Sequence, residues 1–349
     1  MKADLLLRAS DDRWSVRLAP GVLAVSLVLF MLLLASGGLY LSLGSHPTTA
    51  AQVLAGLTGK ADPGLHLILF EIRLPRLLMA ILVGAALAVS GLVLQGLVRN
   101  PLASPDVIGI TGGASAAAVT ALWLGSVGTA AIALVPAALA GAALVALLMV
   151  YLAWQQGVSP SRLVLIGIGL AAGLGALTTL LLVLSPDATA MMAYVWLTGS
   201  LYGSRWQDVV GLLPWVLVCL PLVMARGRHL DIQSMGDDMA QGLGSAVQFN
   251  RLVFLVLAVA LAGASVAYAG ALSFLGLIAP HVARRLVRCG TTGLALVSAL
   301  VGAIILVYAD LLGRVAFMPR DLPAGIFVAG VGAPFFIYLL YRLRRNAGA

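Results

Sequence analysis

Apolar runs long enough to cross a bilayer recur along nearly the whole sequence, and this constrains the fold more than any other feature. A hydrocarbon core of about 30 Å needs about 20 residues of helix. By that measure spans fall at 20–43, 74–97, 106–124, 129–154, 162–184, 207–225, 250–268, 271–288, 293–313 and 324–341. The expectation is an all-α polytopic membrane protein with about ten transmembrane helices. Two stretches break the pattern. Residues 185–206 open on Ser185-Pro186-Asp187 and are too short and interrupted to cross, so they read as a re-entrant or surface helix. The run 271–288 holds Pro280 and His281, so it is expected to be short or kinked.

Composition agrees. Of the 349 residues 61% are hydrophobic and 10% charged, where soluble domains carry about a quarter charged. The net charge of +8 invites nucleic acid, but the charges sit in short loops between apolar runs. That placement excludes a nucleic-acid partner and points to lipid. Cys219 and Cys289 have no metal-ligand spacing and read as two reduced structural thiols. Residues 1–19 mix Lys2, Arg8, Arg13 and Arg17 with three aspartates, and the apolar run that follows exceeds a secretory core of about 7–15 residues. The first run is therefore read as an uncleaved span.

Lysine and arginine then orient the chain. With the N-terminus inside, fifteen fall on the cytoplasmic side and six outside: Lys60, Arg73, Arg76, Arg205, Arg314 and Arg320. Both termini are expected in the cytoplasm. Residues 1–19 form a cytoplasmic N-terminal segment, 226–248 an inner loop, and 1–349 a single domain.

No energy-coupling chemistry is visible. A P-loop ends in Lys-Ser/Thr, yet the only lysines are Lys2 and Lys60, and Ala61 follows the latter. There is no His-Glu-x-x-His and no Gly-x-Ser-x-Gly, so the chain is not read as an enzyme. Ion-driven carriers place ionisable groups near the midplane. Here Asp106, Asp187, Asp208 and Asp310 fall at span ends and Glu71 precedes the second span, which disfavours an ion-coupled secondary transporter.

Several motifs stand out. Arg73-Leu74-Pro75-Arg76 leads into the second span, with Pro75 in the first turn where its missing N–H costs nothing. Outward arginines either snorkel or capture carboxylates of a partner. Gly84, Ala88, Gly91 and Gln95 share one helix face, suited to close packing. Arg99-Asn100-Pro101 begins a turn-rich inner loop that runs to Asp106, and Gly109, Gly112 and Gly113 open the third span. In the inner loop Ser234 and Asp237 have capping-box spacing, and Asp237 with Asp238 suits a helix N-terminus that Gly242 and Gly244 would close. Alone this is a solvated loop helix; on an apolar bundle it is a handle. His281 stands before Arg284-Arg285 and reads more simply as a hydrogen-bonded structural histidine than as a ligand.

Taken together, RLPRLLMAILVGAALAVSGLVLQGLVRNPLASPDVIGITGGASAA, MGDDMAQGLG, GALSFLGLIAPHVARRLV, ADLLGR and MPRDLPAGIFVAGVGAPFF follow one family's order. From about residue 70 to 340 the chain resembles the permease subunits of ABC importers for ferric siderophores, haem and vitamin B12. NPLASPDVIG, MGDD and FMPRDLP look most like ferric-enterobactin permease subunits. The resemblance implies a vitamin B12 permease-like bundle in the bacterial inner membrane. It implies a second permease subunit, with a heterodimer favoured over a homodimer, and two cytoplasmic ATPase subunits that hold ATP and Mg. It also implies a periplasmic siderophore-binding protein, and no cofactor or metal in this chain. Arg73, Arg76 and Arg314 fall on family positions that meet that binding protein. Ser234, Gly236, Asp237, Asp238, Ala240, Leu243 and Gly244 match the ATPase coupling loop. Gly84, Gly91, Gln95, Asn100, Pro101, Pro280 and His281 belong to the family's structural and pore motifs. Gln241 departs from the arginine that many members have there. The function so implied is ATP-driven import of an iron(III)-siderophore, catecholate and enterobactin-like, with haem or cobalamin as the alternative cargo.

Overall fold

The computed structural model describes residues 5–8, 15–18, 20–44, 46–59, 62–125, 127–155 and 157–347. A short antiparallel hairpin, β1 (Leu5–Arg8) and β2 (Ser15–Leu18), pairs Leu5 with Leu18 and Arg8 with Ser15, within the segment where the sequence reading placed no strands. Among the described residues, the remaining elements are helical. The helices are α1 (Pro20–Ser42), α2 (Ala50–Leu57), α3 (Pro63–His66), α4 (Leu74–Val98), α5 (Ile110–Leu124), α6 (Val127–Ala153) and α7 (Pro160–Leu184). They continue as α8 (Asp187–Leu197), α9 (Trp206–Ser234), α10 (Asp237–Gly242), α11 (Val247–Ala269), α12 (Leu275–Leu286), α13 (Thr291–Val315) and α14 (Ala324–Ala347).

A helix stands at each of the ten places where the sequence put a span. Among the described residues, eight helices are long and apolar enough to cross, with Pro63–Val98 counted as one continuous helix. The other two, α5 with 15 residues and α12 with 12, are shorter. At 1.5 Å per residue α12 covers only about 18 Å, little more than half the bilayer core. The run expected at 271–288 is therefore a half-length helix behind non-helical backbone, in which Gly270 takes φ 74°. Such backbone survives at membrane depth only inside protein, and Gly270 and Leu272 are buried.

The lead-in to α4 also differs from expectation. A π-helical segment, Leu67–Arg73, joins α3 to α4 without a break, so Pro75 is inside a continuous helix rather than at its start. Its missing N–H leaves the Phe70 carbonyl without a donor five residues on, and the Trp206 indole supplies one at 3.0 Å. α8 occupies 187–197, within the stretch read as non-crossing.

α4 is the axis of the bundle and is buried along nearly its full length. The small face read from the sequence is where its neighbours close in. A Cβ on Gly84 would lie 2.5 Å from the Gly302 carbonyl oxygen of α13, and one on Gly91 would lie 2.6 Å from the Gly276 Cα of α12. Ser90 donates to the Ala258 carbonyl of α11 at 2.7 Å. Lipid gives helices no hydrophobic reason to associate, so backbone approach at small residues and buried hydrogen bonds hold the bundle. By contrast Leu165 and Val183 of α7 and Val331 and Ile337 of α14 are exposed, apolar faces for lipid or another subunit. Cys219 and Cys289 are free thiols.

Candidate functional site

Contacts between loops sort the connections into two ends. At the end expected to face the cytoplasm, the helix after 206 runs on to Ser234, well past the expected limit of 225. The expected capping box is absent. Ser234 Oγ donates back to the Asp231 carbonyl at 2.6 Å, and the residue capping α10 is Gly236, at φ 120°, with no side-chain cap. Only glycine reaches that angle cheaply.

Asp237, released from capping, is held by two arginines. Arg251 of α11, 1% exposed, donates from Nη2 to both carboxylate oxygens at 2.8 and 3.0 Å, and from Nη1 to the Val158 carbonyl. Arg99 caps α4 in the left-handed region (φ 55°), which aims its guanidinium at Asp237 and at the Gln233 carbonyl, 3.1 Å away. Partial burial pushes the Asp237 carboxyl up, but the Arg251 and Arg99 charges and hydrogen bonds outweigh this and hold it below its ordinary value. α10 is thereby tied to α4 and α11. Ala240 is buried beneath it, while Met235, Met239 and Leu243 recur every four residues and are each 64% exposed. Asp238 is exposed and Gly244 turns the chain at φ 76°.

The remaining motif residues cluster nearby. Gln95 Nε2 donates to the Gly276 carbonyl at 3.2 Å, and Gln95 Oε1 accepts from Arg284 at 2.6 Å, so one side chain joins α4 to both ends of α12. Asn100 accepts from the Leu102 N–H at 2.9 Å, forming the turn that Pro101 continues. Pro280 is buried in α12, and His281 packs edge-on against Phe335 at 5.5 Å. Asp231, which the sequence reading passed over, accepts from the Thr291 N–H at 2.9 Å and from Thr291 Oγ1 at 2.6 Å, capping α13 from the tail of α9.

At the opposite end Arg73, Arg76 and Arg314 line one cavity of ≈ 650 Å³ with Arg320, Asp321, Tyr202 and His46. They are not free side chains. Arg76 is 6% exposed and grips two carboxylates, Asp310 at 2.8 Å and Asp321 at 2.6 Å. Asp310 is fully buried and also accepts from the Tyr40 hydroxyl. Arg73 donates to the Leu41 and His46 carbonyls and to Thr48 Oγ1. Arg314 donates to the Tyr40 and Leu43 carbonyls at 2.6 and 2.8 Å and stacks 4.2 Å over the Tyr40 ring. Arg320 is exposed. Arg73, Arg76 and Arg314 knit the α1 terminus and the α13–α14 loop to the cavity wall, and Arg320 stays exposed beside them.

With both ends described, comparison with known proteins decides the family. The FecCD transport family matches residues 28–342. The chain belongs to that family. It is 50% identical over 320 residues to the achromobactin transport system permease protein CbrC of Dickeya dadantii (strain 3937), covering 92% of this chain and 91% of that one. It is 40% identical to the ferric enterobactin transport system permease protein FepG of Escherichia coli (strain K12), covering 87% and 91%. A solved inward-facing conformation of a metal-chelate type ABC transporter superposes with TM-score 0.80 at 28% identity, covering 92% of this chain and 99% of that one. This FecCD chain is a multi-span permease subunit of an ABC importer in the bacterial inner membrane and not an enzyme. The resemblance read from its motifs is borne out at the level of the family. The finer likeness to ferric-enterobactin permeases is not singled out, since the achromobactin permease is the more similar of the two relatives.

Proposed function

We propose that this FecCD chain forms the membrane path of an ATP-driven importer for an iron(III)-siderophore, pairing with a second permease subunit. The observation that supports this cargo most is the 50% identity over 92% of the chain to a permease named for achromobactin transport. Relatives named for hydroxamate, dicitrate and enterobactin uptake follow at 40–41%. An enterobactin-like catecholate is thus one candidate among several iron chelates, and haem and cobalamin are the less supported cargoes.

In this reading ATP and Mg are held by two cytoplasmic ATPase subunits. The exposed Met235, Met239 and Leu243 are their grip on α10, and Asp237 passes the pull to α4 and α11 through Arg99 and Arg251. A periplasmic binding protein delivers cargo over the arginine-lined cavity. The subunit contributes a path with two global states, and partners shift their populations by binding one state better than the other. A strain lacking this chain, grown on single iron-siderophore sources, tests the cargo. Growth is expected to fail on one siderophore class and to persist on ferrous iron. Unimpaired growth on every siderophore would refute the proposal.

A further inference from the structure

The two edges of the Arg76 guanidinium are occupied in different ways. The Nε/Nη2 edge meets Asp310 in two 2.8 Å hydrogen bonds, and that carboxylate has no exposure at all. The Nη1/Nη2 edge meets Asp321 at 2.6 and 2.9 Å, and Asp321 keeps 24% of its side chain in solvent. Asp321 belongs to the short connection between α13 and α14, where Phe317, Met318 and Arg320 are exposed. It also lines the ≈ 650 Å³ cavity beside Arg73, Arg314 and Arg320. One edge is built into the core and the other is closed by a carboxylate that water can reach.

We propose that Asp321 is a built-in competitor, a carboxylate that holds the outer edge of Arg76 until an acidic side chain of the docking protein replaces it. A carboxylate on a partner offers the same two oxygens in the same plane, so the exchange preserves the bidentate geometry. Charge is conserved throughout. One anion leaves as another arrives, and Arg76 is never left as an unpaired buried cation, the state that makes breaking such pairs costly. Asp310 keeps Arg76 in position during the exchange. Displaced, Asp321 frees the α13–α14 connection from α4, so partner arrival is felt as a loosening of the cavity wall. Docking affinity is set by the difference between the outside carboxylate and the inside one, because each partner contact made with Arg76 replaces the contact with Asp321. This inference rests on the reading of the arginine end as the docking face.

The test uses the whole transporter in lipid nanodiscs and the purified binding protein of the same importer, with affinity measured at low salt. Asp321→Asn removes the competing charge and leaves the Arg76–Asp310 pair intact. It is expected to tighten docking about three- to tenfold, and Asp321→Glu to dock like wild type. Asp321→Ser is the second variant, should the first be poorly folded by thermal melt. Arg320→Glu, on the exposed rim, is expected to weaken docking. Unchanged or weaker docking in Asp321→Asn and Asp321→Ser, with Arg320→Glu still weakened, overturns the competitor alone. Unchanged docking in Arg320→Glu overturns the docking face and the competitor with it.

Discussion

Arg251, buried in α11, donates to both carboxylate oxygens of Asp237, the first residue of the short helix exposed at the opposite end from the arginine cavity. A buried cation with a single carboxylate partner fixes where that helix sits. Asp237→Ala leaves Arg251 uncompensated and is expected to cost up to about 3–5 kcal/mol, less what water screens at a carboxylate one-third exposed. ATP-driven uptake should fall by more than the loss of folded protein, since α10 no longer pulls on α4 and α11. Uptake per folded transporter in proteoliposomes checks this; a value equal to wild type would count against the clamp.

The same carboxyl sets a pH dependence. Burial raises its affinity for protons, but Arg251 and Arg99 outweigh burial and hold it below the ordinary carboxylate value. Its contribution to stability is therefore fully present above the unfolded-state pKa of about 3.9 and is lost as pH falls through the lower folded value. The gap in melting temperature between wild type and Asp237→Asn should hold steady from pH 5 to 8, begin to narrow below about pH 4 and close only below the depressed folded-state value. A constant gap down to strong acid would contradict the assignment.

Gly91 and Gly276 set a close crossing of α4 with α12. With an added Cβ only 2.6 Å from a backbone Cα, no rotamer relieves the clash, and α12 must move. Gly91→Ala is expected to destabilise by about 1–3 kcal/mol and Gly91→Leu to abolish folded protein. Monodisperse yield after detergent extraction distinguishes these outcomes.

In the Tyr40–Asp310–Arg76 network, Tyr40→Phe removes one hydrogen bond to a charged acceptor and is expected to cost about 1.5–3 kcal/mol. Asp310→Ala strands Arg76 on its buried edge and is expected to cost more, about 3–5 kcal/mol. Thermal melts of the two variants should rank in that order.

The fold was legible because spans announce themselves by length: each of the ten apolar runs coincides with a helix. What the sequence hid were departures from regular helix. A half-length α12 and a full span look alike when Gly270 to Phe274 are as apolar as the helix that follows. The site was legible as residue types but not as partnerships. Arg73, Arg76 and Arg314 were read as outward hooks, while their acceptors, Asp310, Asp321 and the Leu41, His46 and Tyr40 carbonyls, lie far away in sequence. A signal was available, because an aspartate at a span end needs a partner in the membrane, and Asp310 had few cations within reach. Asp237 and Asp238 do open the short helix that ends at Gly242, as their acidity suggested. The spacing from Ser234 to Asp237 misled for a related reason: it suggested a capping box, and the long-range pull of Arg251 holds the carboxylate instead.

The central claim is that force enters from ATP bound to a partner and not from an ion gradient sensed within this chain. Uptake of labelled iron-siderophore into proteoliposomes holding the whole transporter, with ATP held constant and a protonophore added, tests it most directly. The account predicts uptake unchanged by the protonophore and abolished when ATP is replaced by a non-hydrolysable analogue. Uptake that collapses with the protonophore while ATP is constant would contradict it.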